Sequence, residues 1–149
     1  MTLYILDSDH LSLYQRGYES IGQQLLTTPP DQIAITIVSV EELIRGRLAQ
    51  VRKATKPQER VYAYSWLMKT LDFLRDFAIV EYDAQAEAHF QSLLHQKVRV
   101  GTQDLKIAAI VLSHGATLVT RNRQDFERVA SLSFEDWSVL QRYLCWRSG

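Results

Sequence analysis

The chain has 149 residues, with 17 Lys plus Arg against 17 Asp plus Glu, 46% hydrophobic residues and 23% charged residues. This suits a single domain over 1–149 with one sizeable core, and the zero net charge argues neither for nor against a nucleic-acid partner. One cysteine, Cys145, excludes an internal disulfide and a structural zinc site built from several cysteines. No basic-then-apolar leader opens the chain, and its longest apolar run in the second half, Ile107 to Leu112, is far short of the roughly 20 residues that cross a bilayer. The reading is a cytoplasmic protein with no membrane contact.

In chain order, 2–6 predicts a strand and 8–16 a short helix stopped by Gly17. A second helix covers 18–28 and ends at Pro29-Pro30, and "QIAIT", 32–36, predicts a second strand. A helix starts at Ser39, where Ser39-x-x-Glu42 has the form of a capping box. Lys56-Pro57 breaks the chain before a long amphipathic helix over 58–76, in which Val61, Tyr62, Trp66, Leu67, Leu71 and Leu74 recur near a helical period and predict a core stripe. "AIVEY", 78–82, is a third strand; Asp83 is placed to cap a helix over 84–96, and Thr102 one over 103–114 that stops at Gly115. "ATLVT", 116–120, is a fourth strand, followed by a short helix near 124–130, a last strand at 131–134 and a helical tail at 138–146.

Strands alternating with helices predict an α/β fold, a mainly parallel sheet of four or five strands with helices on both faces. Ligands of such sheets sit at the carboxyl ends of the strands. Asp7 follows the first strand, Glu42 lies early in the helix after the second, Asp104 opens the helix before the fourth, and Asp125 follows the fourth. Each has an ordinary reading. Glu42 fits a capping box, Asp104 fits the positive end of a helix dipole, Asp9 fits a cap of the first helix, and Asp125 fits a solvated loop. Gathered on one edge they read differently: crowded carboxylates repel unless a cation is present, and hard oxygen ligands suit Mg²⁺ or Mn²⁺. The four histidines show no ligand spacing, and His10, beside the site, reads as structural.

The segments "YILDSDHLS", "ITIVSVEELIRG" and "GTQDLKIAAIVLSHGATLVTRNRQDFERV", in that order, resemble the PIN-domain family, and within it the VapC-type ribonuclease toxins of toxin–antitoxin pairs. The resemblance covers nearly the whole chain. It implies a PIN-like fold and metal-dependent hydrolysis of RNA phosphodiester bonds, with Mg²⁺ or Mn²⁺ as cofactor. It further implies a homodimer that pairs with a cognate antitoxin. Asp7, Glu42, Asp104 and Asp125 match the family's acidic quartet, with Asp7 and Asp104 as the main metal ligands. Thr120 and Asn122 match polar residues that order the site. Asp9 stands where the family usually has Asn, which adds a negative charge. Arg16, Arg45, Arg47, Arg121 and Arg123 lie near the quartet in sequence, and Arg121, Arg123 and Arg45 are the candidates for RNA phosphate contacts, each also readable as a solvated charge or as a contact to the antitoxin.

Two rival readings belong to other classes. Asp7-Ser8-Asp9 also fits the opening of a haloacid-dehalogenase-like phosphatase with Asp7 as nucleophile, although no suitably placed lysine and late aspartates complete that set. A catalytically silent PIN-like binding module is the second, kept open by Asp9 alone. Tyr64, Met68 and Phe73 extend apolar character around the 58–76 helix, and Trp137, Tyr143 and Trp146 add further apolar surface for core or partner.

Overall fold

Short, nearly continuous apolar runs build the centre of the fold. The computed structural model describes residues 1–139, so Tyr143, Cys145, Trp146 and most of the expected tail helix lie outside the described residues. Its elements are β1 (Tyr4–Leu6), α1 (Ser8–Gln15), α2 (Glu19–Thr27), β2 (Ile33–Thr36), α3 (Ile37–Lys53), α4 (Pro57–Leu74), β3 (Ala78–Val80), α5 (Ala84–His95), α6 (Thr102–Ser113), β4 (Thr117–Val119), α7 (Arg123–Phe126) and β5 (Ser133–Glu135). The five strands form one parallel sheet in the order β3-β2-β1-β4-β5.

Side chains two apart on a strand share a face. Ile5, Ala34 and Leu118 therefore point to one side, where Phe90 and Leu93 of α5 and Leu105, Ala109 and Ile110 of α6 bury them. Leu6, Ile35 and Val119 point to the other, against Leu11 of α1, Ile21 of α2 and Leu74 of α4. The result is three layers with helices on both faces. The chain lays β2 and β3 to one side of β1 and then crosses to lay β4 and β5 on the other. This reversal opens a crevice at the carboxyl ends of β1 and β4.

Helix boundaries follow backbone chemistry. Gly17 (φ +88°) and Gly115 (φ +58°) hold left-handed positions that close α1 and α6. Pro57 is the first residue of α4, where its missing N–H costs nothing. Asp83 caps α5 as expected, accepting from Ala86 N at 2.9 Å. Two start signals belong elsewhere. α3 begins at Ile37 rather than Ser39, because Thr36, the last residue of β2, accepts from Ser39 N at 3.0 Å and is the cap. α6 is preceded by Gly101 as cap residue, and Thr102 is already helical.

Of the expected core stripe on α4, Leu74 is buried and Trp66 and Leu67 are half-buried, and the rest is corrected. The buried residues of α4 are Ala63, Thr70 and Leu74, while Val61 and Tyr62 are 73% and 63% exposed. Arg47 of α3 donates to Thr70 on the buried face of α4. No helix among the described residues is long and apolar enough to cross a membrane.

Thr36 is fully buried and couples the end of β2 to the start of α3. Replacing it with Val keeps the shape and removes the cap. Urea unfolding of Thr36→Val is expected to show a loss of about 1–2 kcal/mol with an unchanged m-value.

Candidate functional site

The crevice beside β1 gathers acids from four separate segments. Asp7 leaves β1 with its N–H still in the sheet, bonded to Val119 O at 3.0 Å, and its side chain then starts the next element. Its Oδ1 accepts from His10 N at 2.8 Å, which makes Asp7, and not Asp9, the cap of α1. One carboxylate oxygen is thus committed to the helix.

Glu42 sits in the second turn of α3, because that helix starts two residues earlier than the capping-box reading places it. It caps nothing. Ser8 Oγ, at the start of α1, donates to Glu42 Oε1 at 2.8 Å and lies 3.0 Å from Ser39 Oγ. Asp104 enters from the first turn of α6. Burial pushes its carboxyl up to about 6, and the negative charges of Glu42, Asp7 and Asp125 push in the same direction. A helix-dipole acid at the surface has no such neighbours.

Asp125, in α7, is held at the back of the group. Asn122 Nδ2 donates to its Oδ2 at 2.9 Å, and Arg128 lies 3.7 Å from its Oδ1. Buried Thr120 accepts from Asn122 N at 3.0 Å, so the turn after β4 is ordered from Thr120 through Asn122 to Asp125. Asp9 turns to the rim, where Arg121 Nε reaches its Oδ2 at 2.5 Å.

The cleft these residues enclose is about 440 Å³ and is lined by Asp7, Ser8, Asp9, Glu42, Asp104, Arg121 and Asn122. Of the expected phosphate-contact arginines, Arg121 is at this cleft. Arg123 is exposed and lies 3.8 Å from Glu127. Arg45 is paired with Glu41 at 2.7 Å and lines a different groove with Ile44, Leu48 and Arg52.

Two supports stand beside the acids, one that sequence reasoning missed and one that it read only as structural. One is Ser8, whose hydroxyl orients Glu42; its place between two aspartates was the available signal. The other is His10, which is fully buried. Its Nε2 accepts from Trp137 N at 3.2 Å, so its proton sits on Nδ1, 3.4 Å from Asp7 Oδ1 and without a hydrogen-bond partner among the described residues. Its spacing of three from Asp7 on a helix was the sequence signal.

With that geometry in place, the chain can be set beside known proteins. The PIN domain description matches residues 4–132. Ribonuclease VapC2 of Rickettsia felis is 32% identical over 148 residues, covering 91% of this chain and 98% of that protein. The tRNA(fMet)-specific endonuclease VapC of Shigella flexneri is 31% identical over 111 residues, covering 72% of this chain and 76% of that protein. Among solved structures, VapBC2 of Rickettsia felis bound to a DNA fragment from its promoter superposes with a TM-score of 0.71 at 25% identity, over 91% of this chain and 99% of the other.

The elevated Asp104 carboxyl makes stability depend on pH in a stated direction. A carboxyl whose folded-state pKa is raised from 3.8 to about 6 adds stability below pH 3.8 that is lost as pH rises through 6. In chelator-containing buffer, the melting temperature is expected to fall between pH 5 and pH 7.5, and Asp104→Asn should flatten that fall and melt higher than wild type at pH 7.5. Differential scanning calorimetry at the two pH values checks both.

Proposed function

The chain belongs to the PIN-domain family, and from that premise we propose that it is an endoribonuclease dependent on Mg²⁺ or Mn²⁺, the toxin of a toxin–antitoxin pair, acting on RNA in the cytoplasm. The observation that carries this reading is the convergence of Asp7, Glu42 and Asp104 on one open cleft, with Asp125 behind them. The Rickettsia felis and Shigella flexneri relatives are a ribonuclease and a tRNA-specific endonuclease, and the superposing structure is a VapBC complex.

The donor set is all carboxylate oxygen, which fits a hard divalent ion. Among the described residues, no three Asp, Glu, His or Cys side chains are placed to grip an ion unaided. Mg²⁺ keeps several waters and is held through one or two carboxylates, so it does not require such a cluster. Asp7 and Asp104 are the two proposed to hold it. When bound, such an ion lowers the pKa of water toward neutrality and offsets charge on the phosphate.

The chain's own residues do the rest. Ser8 donates to Glu42 and orients it at the cleft. Asn122 and Arg128 hold Asp125. The burial that raises Asp104 also weakens screening inside the cleft, so a cation there is attracted strongly. Arg121 lines the rim of the cleft, and Asp9 keeps it in place. The phosphatase reading finds no support, since its acid–base residue would be Asp9, which is engaged by Arg121. The silent-module reading finds none either, because all four acids are present.

The exposed apolar side chains of α4, Val61, Tyr62, Tyr64 and Met68, support pairing with a second copy. Light scattering over a concentration range is expected to show a dimer; a strict monomer at high concentration overturns this part.

The purified protein is expected to cleave RNA with Mg²⁺ or Mn²⁺ and to stop with a chelator. Asp7→Asn and Asp104→Asn should each lower the rate by more than about 100-fold, beyond the loss typical of a residue that only supports a ligand. Glu42→Gln should lose activity with little change in melting temperature, because Glu42 caps no helix. Asp9→Asn should remain active; gel-resolved cleavage of a labelled RNA reads all four.

A further inference from the structure

A second depression adjoins the acidic cleft. It holds about 350 Å³ and is lined by Ser8, Asp9, Ser12, Arg16, Glu42, Leu43, Gly46, Arg47 and Gln50. It shares Ser8, Asp9 and Glu42 with the cleft, so the two adjoin along α1 and α3, with the Ser8–Glu42 hydrogen bond at their common border. The shared end of this second trough is acidic and its far end carries two guanidinium groups.

Arg47 is fixed in place. Its Nε donates to Thr70 Oγ1 at 2.9 Å, its Nη2 to Gln15 Oε1 at 3.1 Å and its Nη1 to Gln50 Oε1 at 3.1 Å, and the guanidinium lies 4.7 Å from the centre of the Trp66 ring. All four partners are neutral. These bonds use three of its five N–H groups and leave two. Arg16 ends α1, with its backbone closing the helix, and its side chain makes no ion pair among those of the described residues. The charge of Arg16 acts against that of Arg47, so the two guanidinium groups repel across the trough. The carboxylates at the other end are engaged elsewhere, Glu42 by Ser8 and Asp9 by Arg121. Two cations face one open trough with neither neutralised by a carboxylate, and an anion is the group that relieves them.

We propose that this trough is a second phosphate subsite, in which Arg16 and Arg47 hold the RNA backbone phosphate that flanks the one at the carboxylates. The proposal rests on the nuclease reading and adds to it where the strand runs: out of the cleft along the α1–α3 seam, with phosphate contacts that position the backbone irrespective of base. Gly46 forms part of the wall, and a Cβ added there meets nothing within 4 Å, so the space is open to a ligand.

The test measures binding of a fluorescein-labelled single-stranded RNA in chelator, across a KCl series, with cleavage followed separately in Mn²⁺. For single strands each lost phosphate contact lowers the slope of log K against log salt by about 0.7. Arg16→Gln and Arg47→Lys are compared with Arg52→Gln, a cation of the separate α3 groove. Arg16→Gln is expected to lower the slope by about one contact, to weaken binding several-fold at moderate salt, and to raise KM with kcat little changed. Arg47→Lys keeps the charge but loses the fixed fork, so it should weaken binding with the slope kept. Arg52→Gln should match wild type. Gly46→Leu, which keeps every charge and improves a helical position, should melt no lower than wild type yet bind RNA more weakly because it fills the trough. An unchanged slope in Arg16→Gln, or equal losses in Arg16→Gln and Arg52→Gln, overturns the subsite while wild type still cleaves. A loss of oligoglutamate-peptide binding in Arg16→Gln with RNA binding intact assigns the trough to a protein partner and also overturns it. Failure of wild type itself to cleave RNA in Mn²⁺ removes the nuclease reading instead.

Discussion

Repulsion among carboxylates at the carboxyl end of β1 is the constraint on which the rest of this structure depends. Asp7, Glu42, Asp104 and Asp125 come from four segments, and burial together with the charges of the other three raises the Asp104 carboxyl to about 6. Bringing such groups into one half-buried cleft is unfavourable by itself. The fold that tolerates it must hold each acid by something other than the site, and each acid has such an anchor. Asp7 is pinned by the sheet and by the first turn of α1, Glu42 by Ser8, and Asp125 by Asn122 and Arg128. Among the described residues Asp104 has no such bond, and it rests on α6, whose buried face of Leu105, Ala108, Ala109 and Ile110 fixes the helix firmly.

This arrangement makes structural and functional roles overlap in single residues. Asp7 is both a helix cap and a lining carboxylate, so one oxygen serves the fold while the other is left for the cleft. Behind it, buried His10 links α1 to the backbone of Trp137 beyond β5, tying the site to the far edge of the sheet. The turn after β4 works the same way: Thr120 shapes the backbone, Asn122 holds Asp125, and Arg121 projects to the rim. A cleft built on such anchors is organised before any ligand arrives, which is the condition for electrostatic work at low reorganisation cost.

The same logic explains why charge changes sign between the two adjoining clefts. Near the strand ends the walls are carboxylates suited to a cation. Along α1 and α3 they become Arg16 and Arg47, of which Arg47 is held by neutral partners. A zero net charge for the whole chain conceals this local separation.

Much was legible from the residues alone. Short apolar runs alternating with helical patterns set the α/β class, because buried parallel strands need helices on both faces. The position of Asp7, Asp104 and Asp125 relative to strand ends followed from the same pattern, since a parallel sheet sends every helix start to one edge. Local signals misled where two residues competed for one role. Thr36 took the cap of α3 from Ser39 because the strand delivers its side chain to the Ser39 N–H, and that shift freed Glu42 for the cleft. On α4, periodicity alone pointed Val61 and Tyr62 inward, whereas the packed helix buries Ala63, Thr70 and Leu74 and leaves those two exposed. Strand order, the pairing of Asp9 with Arg121 across 112 residues and the adjacency of the two clefts belong to tertiary structure. Sequence determines which groups lie near each strand end, because that depends on local backbone preference. Only the packed sheet, by placing β1 between β2 and β4, decides which of those ends meet, because that depends on burying both faces of the central strand at once.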